Sequence, residues 1–164
     1  MRMLVSGIIA GFIVGLASGG DLRRLQQFDL RWWPLLIAGL VARASALFFR
    51  AIALETSVLG IALIVAVAIV NRGLPGAVLI ALGSLLNLLV ILVNGGMPVD
   101  AAAISATPND PPIDGFHVLL DSSTRLVYLA DVIGVPVVNS VYSVGDLAVA
   151  IGGFWTTFRL VRRQ

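Results

Sequence analysis

Five stretches of this 164-residue chain are apolar and close to the length a helix needs to cross a bilayer, and this limits the folds open to it. Hydrophobic residues make up 59% of the chain and charged residues 12%, whereas soluble domains carry about a quarter charged residues. The mean hydropathy is +1.00. A hydrocarbon core of about 30 Å takes roughly 20 apolar residues to cross, which places spans at residues 3–20, 32–49, 52–70, 74–93 and 144–161. The alternating apolar and polar segments of an outer-membrane barrel are missing, so helices are left to satisfy the backbone amides in lipid. The expectation is a single all-α domain, a polytopic integral membrane helical bundle of about five transmembrane helices.

Arginine sets the orientation, because the chain has eleven Arg and no Lys. With the N-terminus outside and the C-terminus cytoplasmic, the cytoplasmic side receives Arg23, Arg24, Arg31, Arg72, Arg159, Arg162 and Arg163. The outside keeps Arg2, Arg50 and Arg125, and Arg43 falls inside a span. That bias obeys the positive-inside rule. Glu55, Asp100, Asp110, Asp114, Asp121 and Asp131 collect outside and leave that face net negative. The high pI is thus a mark of membrane orientation, with no nucleic-acid partner implied. Trp32 and Trp33 ahead of Pro34 fit an interfacial belt with a first-turn proline at the second span.

Gly7, Gly11, Gly15 and Gly19 recur every four residues along one stripe of the first span, the small-residue spacing that lets helices approach closely in lipid. Arg2, the apolar run and Ala17-Ser18-Gly19 also fit a secretory signal peptide. Cleavage there would export the Arg23/Arg24/Arg31 segment against the charge rule, so a retained span is the preferred reading. Residues 21–31 form a short interfacial helix or a polar turn, and Asn71-Arg72-Gly73 ahead of Pro75 a tight turn.

The long connection, residues 95–142, is expected outside, and loops of that length have structure or purpose. It opens on Asn94, Gly95, Gly96, Met97 and Pro98, whose glycines and proline break the fourth span. A breaker-rich surface turn follows at residues 107–112. A short helix is expected from Ser122 or Ser123 to Ile133, carrying a polar stripe of Arg125, Tyr128 and Asp131, with Asp121 placed to pair with Arg125. The loop then forms a partly helical extracytoplasmic lid.

Arg43 lies seven residues below Arg50 and Asn87 seven below Asn94, so each sits about 10 Å beneath the outer surface. Asp146 enters from the same side. A buried arginine costs about 2.5–3.5 kcal/mol by insertion scales, so it needs a partner or water. Two readings stay open. One is an outward-facing polar pocket of Arg43, Asn87 and Asp146, roofed by His117, Arg125 and Asp131. The other is a structural pin in which Arg43 snorkels or pairs with Asp146, with Ser143-x-x-Asp146 as a capping box.

The run from Asn94 to Pro98, then His117, then residues 124–131 (TRLVYLAD) and Ser143-Val144-Gly145-Asp146 resembles a family of small bacterial multi-pass membrane proteins, domain of unknown function 5317. The resemblance implies a bacterial cytoplasmic (inner) membrane protein and points to the same residues, but implies no activity.

Enzyme classes find little support. With no cysteine there is no thiol nucleophile and no thiolate metal site, and a single histidine builds neither a bis-histidine haem nor a three-histidine zinc site. No metal site is expected, and the cofactor is left open. Ser143-Val144-Gly145-Asp146 is similar to the Gly-x-Gly-Asp element of intramembrane aspartyl proteases, with Asp131 as a second carboxylate, though the leading glycine is serine here. Three classes remain, in order: an accessory or structural membrane subunit docked on a membrane-protein partner or its own copies, a protein binding or transporting a small ligand or lipid, and an aspartyl-type hydrolase.

Overall fold

A computed structural model describes residues 2–105, 107 and 115–162. Six α-helices run α1 (Arg2–Ala17), α2 (Trp33–Ser45), α3 (Ala53–Val70), α4 (Ala77–Asn94), α5 (Ala101–Ser105) and α6 (Val144–Val161). Between α4 and α6 lie four three-residue strands, β1 (Met97–Val99), β2 (His117–Leu119), β3 (Ile133–Val135) and β4 (Ser140–Tyr142). The protein is mostly helical, and the expectation of an all-α chain is corrected by these strands.

Three helices are long and apolar enough to cross a membrane: Arg50–Val70, counting the 3-10 turn that leads into α3, Ala77–Asn94 and Val144–Val161. The other two apolar helices are shorter, with 16 residues in α1 and 13 in α2, or about 24 and 20 Å at 1.5 Å per residue. Their expected spans overran because the stretches that end them are themselves apolar or small. Ser45 Oγ donates to the Ala42 carbonyl and Leu47 N–H to Ala44, tightening the last turn of α2 just before exposed Leu47, Phe48 and Phe49. Hydropathy continues there while the helix does not. At α1 the chain turns at Gly19, with φ +83°.

The five long helices pack in the order α1, α6, α4, α3, α2. Three glycines of α1 make the first contact: a Cβ at Gly7 would strike Ala150, at Gly11 Phe154 and Thr157, and at Gly15 Val161. Across this close approach Thr157 Oγ1 donates to the Ile8 carbonyl at 3.0 Å. Gly19 is a correction, since it leaves the stripe for the turn and a Cβ there would meet nothing. Gly83 on α4 and Gly145 on α6 face each other as closely. Small residues thus let these helices approach closely.

At the arginine-rich end, residues 22–27 form a 3-10 helix whose first turn is capped by the Asp21 side chain accepting from Arg23 N–H at 2.9 Å. Arg24 donates to the Arg162 carbonyl at 2.6 Å, and the Asp21 amide to the Val161 carbonyl at 2.8 Å. The turn after α3 forms as expected, with Leu74 N–H donating to Asn71.

The opposite end, which we call the loop end, is folded by short strands. β1 and β2 pair in parallel, Met97 opposite His117, and Asp131 bridges the other side of β1 opposite Val99. β3 and β4 pair antiparallel. The helix expected over residues 122–133 is absent. Asp121 Oδ1 instead gathers the Ser123 amide and the Ser123 and Thr124 hydroxyls into a local turn. Leu126 takes φ +57°, and just one 3-10 turn, Val127–Leu129, follows. Side chains that hydrogen-bond the nearby backbone compete with a helix this short, which is marginal by itself. The expected polar stripe is lost with it: Tyr128 is exposed while Asp131 is buried. Of the surface turn expected at 107–112 only Thr107 falls within the described residues, and it is buried.

Candidate functional site

The polar residues of the spans converge beneath the loop end. A cavity of about 50 Å³ is lined by polar Arg43, Ser84, Asn87 and Asp146 and by apolar Leu4, Leu40, Ile61, Ile64 and Val149. All five long helices contribute to it. By volume it accommodates roughly three or four water molecules, and its polar lining offers them partners.

Local chemistry fixes the polar lining. Ser143 caps α6, its Oγ accepting from Asp146 N–H at 3.0 Å, and the Asp146 carboxylate accepts back from the Ser143 amide at 3.4 Å, the expected capping box. The same serine hydroxyl donates to Asn87 Oδ1 at 2.8 Å, and Asn87 Nδ2 donates to Asp146 Oδ1 at 3.0 Å. One asparagine on α4 therefore holds both members of the α6 cap. Arg43 donates to Ser57 Oγ at 2.8 Å, and its guanidinium lies 4.4 Å from the centre of the Phe116 ring. A cation over a desolvated ring gains about 2 kcal/mol.

Above these residues stands the second pair. His117 Nε2 lies 3.8 Å from Asp131 Oδ2, and His117 meets Phe116 edge to face at 4.8 Å. Asp131 is 5% exposed, and its Oδ1 is buried without a hydrogen-bond partner. Burial, and next the negative charge of Asp146, push its carboxyl up to about 8, against the pull of Arg43.

Arg43, Asn87, His117, Asp131 and Asp146 are thus brought to one end of the bundle. Arg125 is tied into the loop end through its backbone. Its backbone is clasped by Asn94, whose Oδ1 accepts from Arg125 N–H at 2.9 Å and whose Nδ2 donates to the Arg125 carbonyl at 3.0 Å. The residues around that clasp are structural in form. Gly95 caps α4 with φ +68°, Gly96 passes close to Phe116 and Val118, and Met97 and Pro98 are buried in β1. Sequence reasoning missed Ser57, Ser84 and Phe116. The two serines carried a signal, since each is a polar residue at the depth of Arg43 or Asn87, and Ser84 precedes Asn87 by one helical turn. Phe116 carried none, because an aromatic in a long loop does not reveal which cation it will cover.

The model of the family of unknown function DUF5317 matches residues 27–158, most of the chain and every residue of this cluster. The chain belongs to that family. The DUF5317 match takes in the polar lining, the His117–Asp131 pair and the Asn94 clasp, and begins after the glycine stripe of α1. No curated protein and no solved structure matches the chain.

Proposed function

We propose that the protein is a ligand-binding membrane protein whose site is the polar cavity beneath the loop end. In this reading all five long helices cross a bacterial cytoplasmic membrane, α1 and α2 lengthened by the apolar turns that follow them, and the loop end faces outward. The observation that carries it is the cavity itself: five helices converge on an arginine, an asparagine, a serine and an aspartate at membrane depth. Polar groups in such a position cost free energy, and they commonly mark ligand paths.

The glycines are the reason to place binding ahead of an accessory role. Gly7, Gly11, Gly15 and Gly145 are filled by the protein's own helices, so that stripe offers nothing to a partner. The accessory reading keeps one support, the strongly exposed Tyr128 and Val137 of the long loop. A hydrolase reading gains none, because both Asp146 oxygens serve the cap and Asn87.

Purification in mild detergent followed by native mass spectrometry tests the proposal. A retained small molecule, lost in Asp146→Asn while the chain stays monodisperse, supports it. A stoichiometric protein partner with an empty cavity would replace it by the accessory role. Orientation is checked separately in a chain that has no cysteine of its own: Tyr128→Cys reacts with an impermeant maleimide on intact cells and Arg72→Cys does not.

A further inference from the structure

The helix order leaves the bundle open on one side, and that side names the ligand's class. This step rests on the cavity reading above. α1 and α2 stand at the two ends of the packed row, without an extended contact between them among the described residues. Leu4 of α1 and Leu40 and Arg43 of α2 nevertheless line one cavity. The cavity therefore lies behind the seam between α1 and α2. Towards the loop end it is covered differently. Phe116 spreads over the Arg43 guanidinium and is itself packed with Met97, Ala46 and Ala53 in the buried core. A solute from water would have to displace that core, whereas a molecule already in the bilayer meets an apolar seam.

We propose that the ligand is a membrane phospholipid that reaches the cavity sideways, its phosphate drawn to Arg43 and its acyl chains lying in the α1/α2 seam. The charge fits: a guanidinium is the side chain best matched to a phosphate, and its hydrogen bonds strengthen where water is scarce. A volume of about 50 Å³ leaves the acyl chains outside the cavity, in the seam. Leu4 and Leu40 at the seam supply the apolar contact where headgroup passes into chain.

The test uses the full chain, exchanged through a lipid-free detergent and examined by native mass spectrometry, with Arg43→Gln and Leu40→Trp as variants. Arg43 also holds Ser57 and Phe116, so Leu40→Trp, which narrows the seam and leaves the arginine in place, carries the test where Arg43→Gln fails to fold. One phospholipid mass that survives exchange in the native chain and is lost in Leu40→Trp supports the inference. A lipid mass retained in every folded variant is annular lipid and overturns it. A second arm titrates the delipidated chain with inorganic phosphate and with a short-chain phosphatidylethanolamine, read by thermal shift. A shift with phosphate alone and no retained lipid leaves the cavity reading standing and defeats lateral lipid binding. No retained molecule and no shift with either defeats both.

Discussion

The Asn94 side chain clasps the backbone of Arg125 with two hydrogen bonds, 2.9 Å from the Arg125 amide and 3.0 Å to its carbonyl, across 31 residues of sequence. A third bond, from Asn94 Nδ2 to the Val90 carbonyl at 2.9 Å, fixes the side chain against α4. The other end of the bundle repeats the device. Asn71 at the end of α3 accepts from Arg31 N–H at 3.0 Å and donates to the Arg31 carbonyl at 2.8 Å. In each case an asparagine at a helix C-terminus satisfies both backbone polar groups of one residue in a distant connection.

Loss of the Asn94 clasp leaves the Arg125 amide and carbonyl to find water, and a lost hydrogen bond of this kind costs about 1–3 kcal/mol where it is buried. The Arg125 bonds are solvent-accessible, so Asn94→Ala is expected near the lower figure, with the larger effect on the loop. Limited proteolysis should cut between Asp121 and Ala130 faster in Asn94→Ala than in the native chain. Equal cutting rates would show that strand pairing alone holds the segment.

The helices and the polar cluster were legible in the sequence because both follow from one-dimensional rules. Apolar length marks α3, α4 and α6 closely, and α6 runs over the very residues expected, since Ser143 and Asp146 signal its start. Depth counted from Arg50 and Asn94 placed Arg43 and Asn87 at one level, and they do line one cavity. The long connection was less legible. Its β1/β2 pairing joins residues 20 apart, Met97 to His117, in strands of three residues, too short for any period to declare itself. The segment 122–133 has helical spacing in its apolar residues, yet Asp121 and Thr124 spend their hydrogen bonds on a local turn instead.

The α1/α6 contact makes a sharp demand on residue size. At Gly11 a side chain would run into the Phe154 backbone and Thr157, so Gly11→Ile must push the helices apart and break the Thr157 bond to Ile8. Overpacking of this order costs about 1–3 kcal/mol. A lowered Tm in detergent is expected for Gly11→Ile, and an unchanged one for Gly73→Ala, where a Cβ meets nothing. Equal Tm values for the two variants would mean that α1 does not pack on α6 as described.

Asn87 serves Ser143 and Asp146 at once, so replacing it separates a structural role from a passive one. Asn87→Leu keeps the volume and strands the Ser143 hydroxyl and Asp146 Oδ1 in a partly buried site, at a cost of about 1–3 kcal/mol. Asn87→Leu combined with Asp146→Leu removes the stranded carboxylate as well and should recover part of that loss. A double variant less stable than the single one would show that the capping box, and not the asparagine, is what the carboxylate mainly supports.

Asp131 gives the protein a stability that depends on pH. Its Oδ1 is buried without a hydrogen-bond partner, and the charged or titratable groups acting on it include His117 on β2, Asp146 on α6, the N-terminal amine and Arg43 on α2. Burial and Asp146 raise its carboxyl from 3.8 to about 8, so over that interval the folded chain holds a proton that the unfolded chain releases. The unfolded state then binds fewer protons, and stability falls as pH rises from about 4 through about 8, the reverse of a salt-bridged aspartate. Asp131→Asn mimics the protonated form at every pH. Its Tm is expected to match the native chain below about pH 4, to exceed it increasingly from there to pH 8, and to vary less over that interval. Parallel Tm profiles for the two chains would mean that Asp131 ionises in the folded protein as it does in the unfolded one, with His117 as its charged partner.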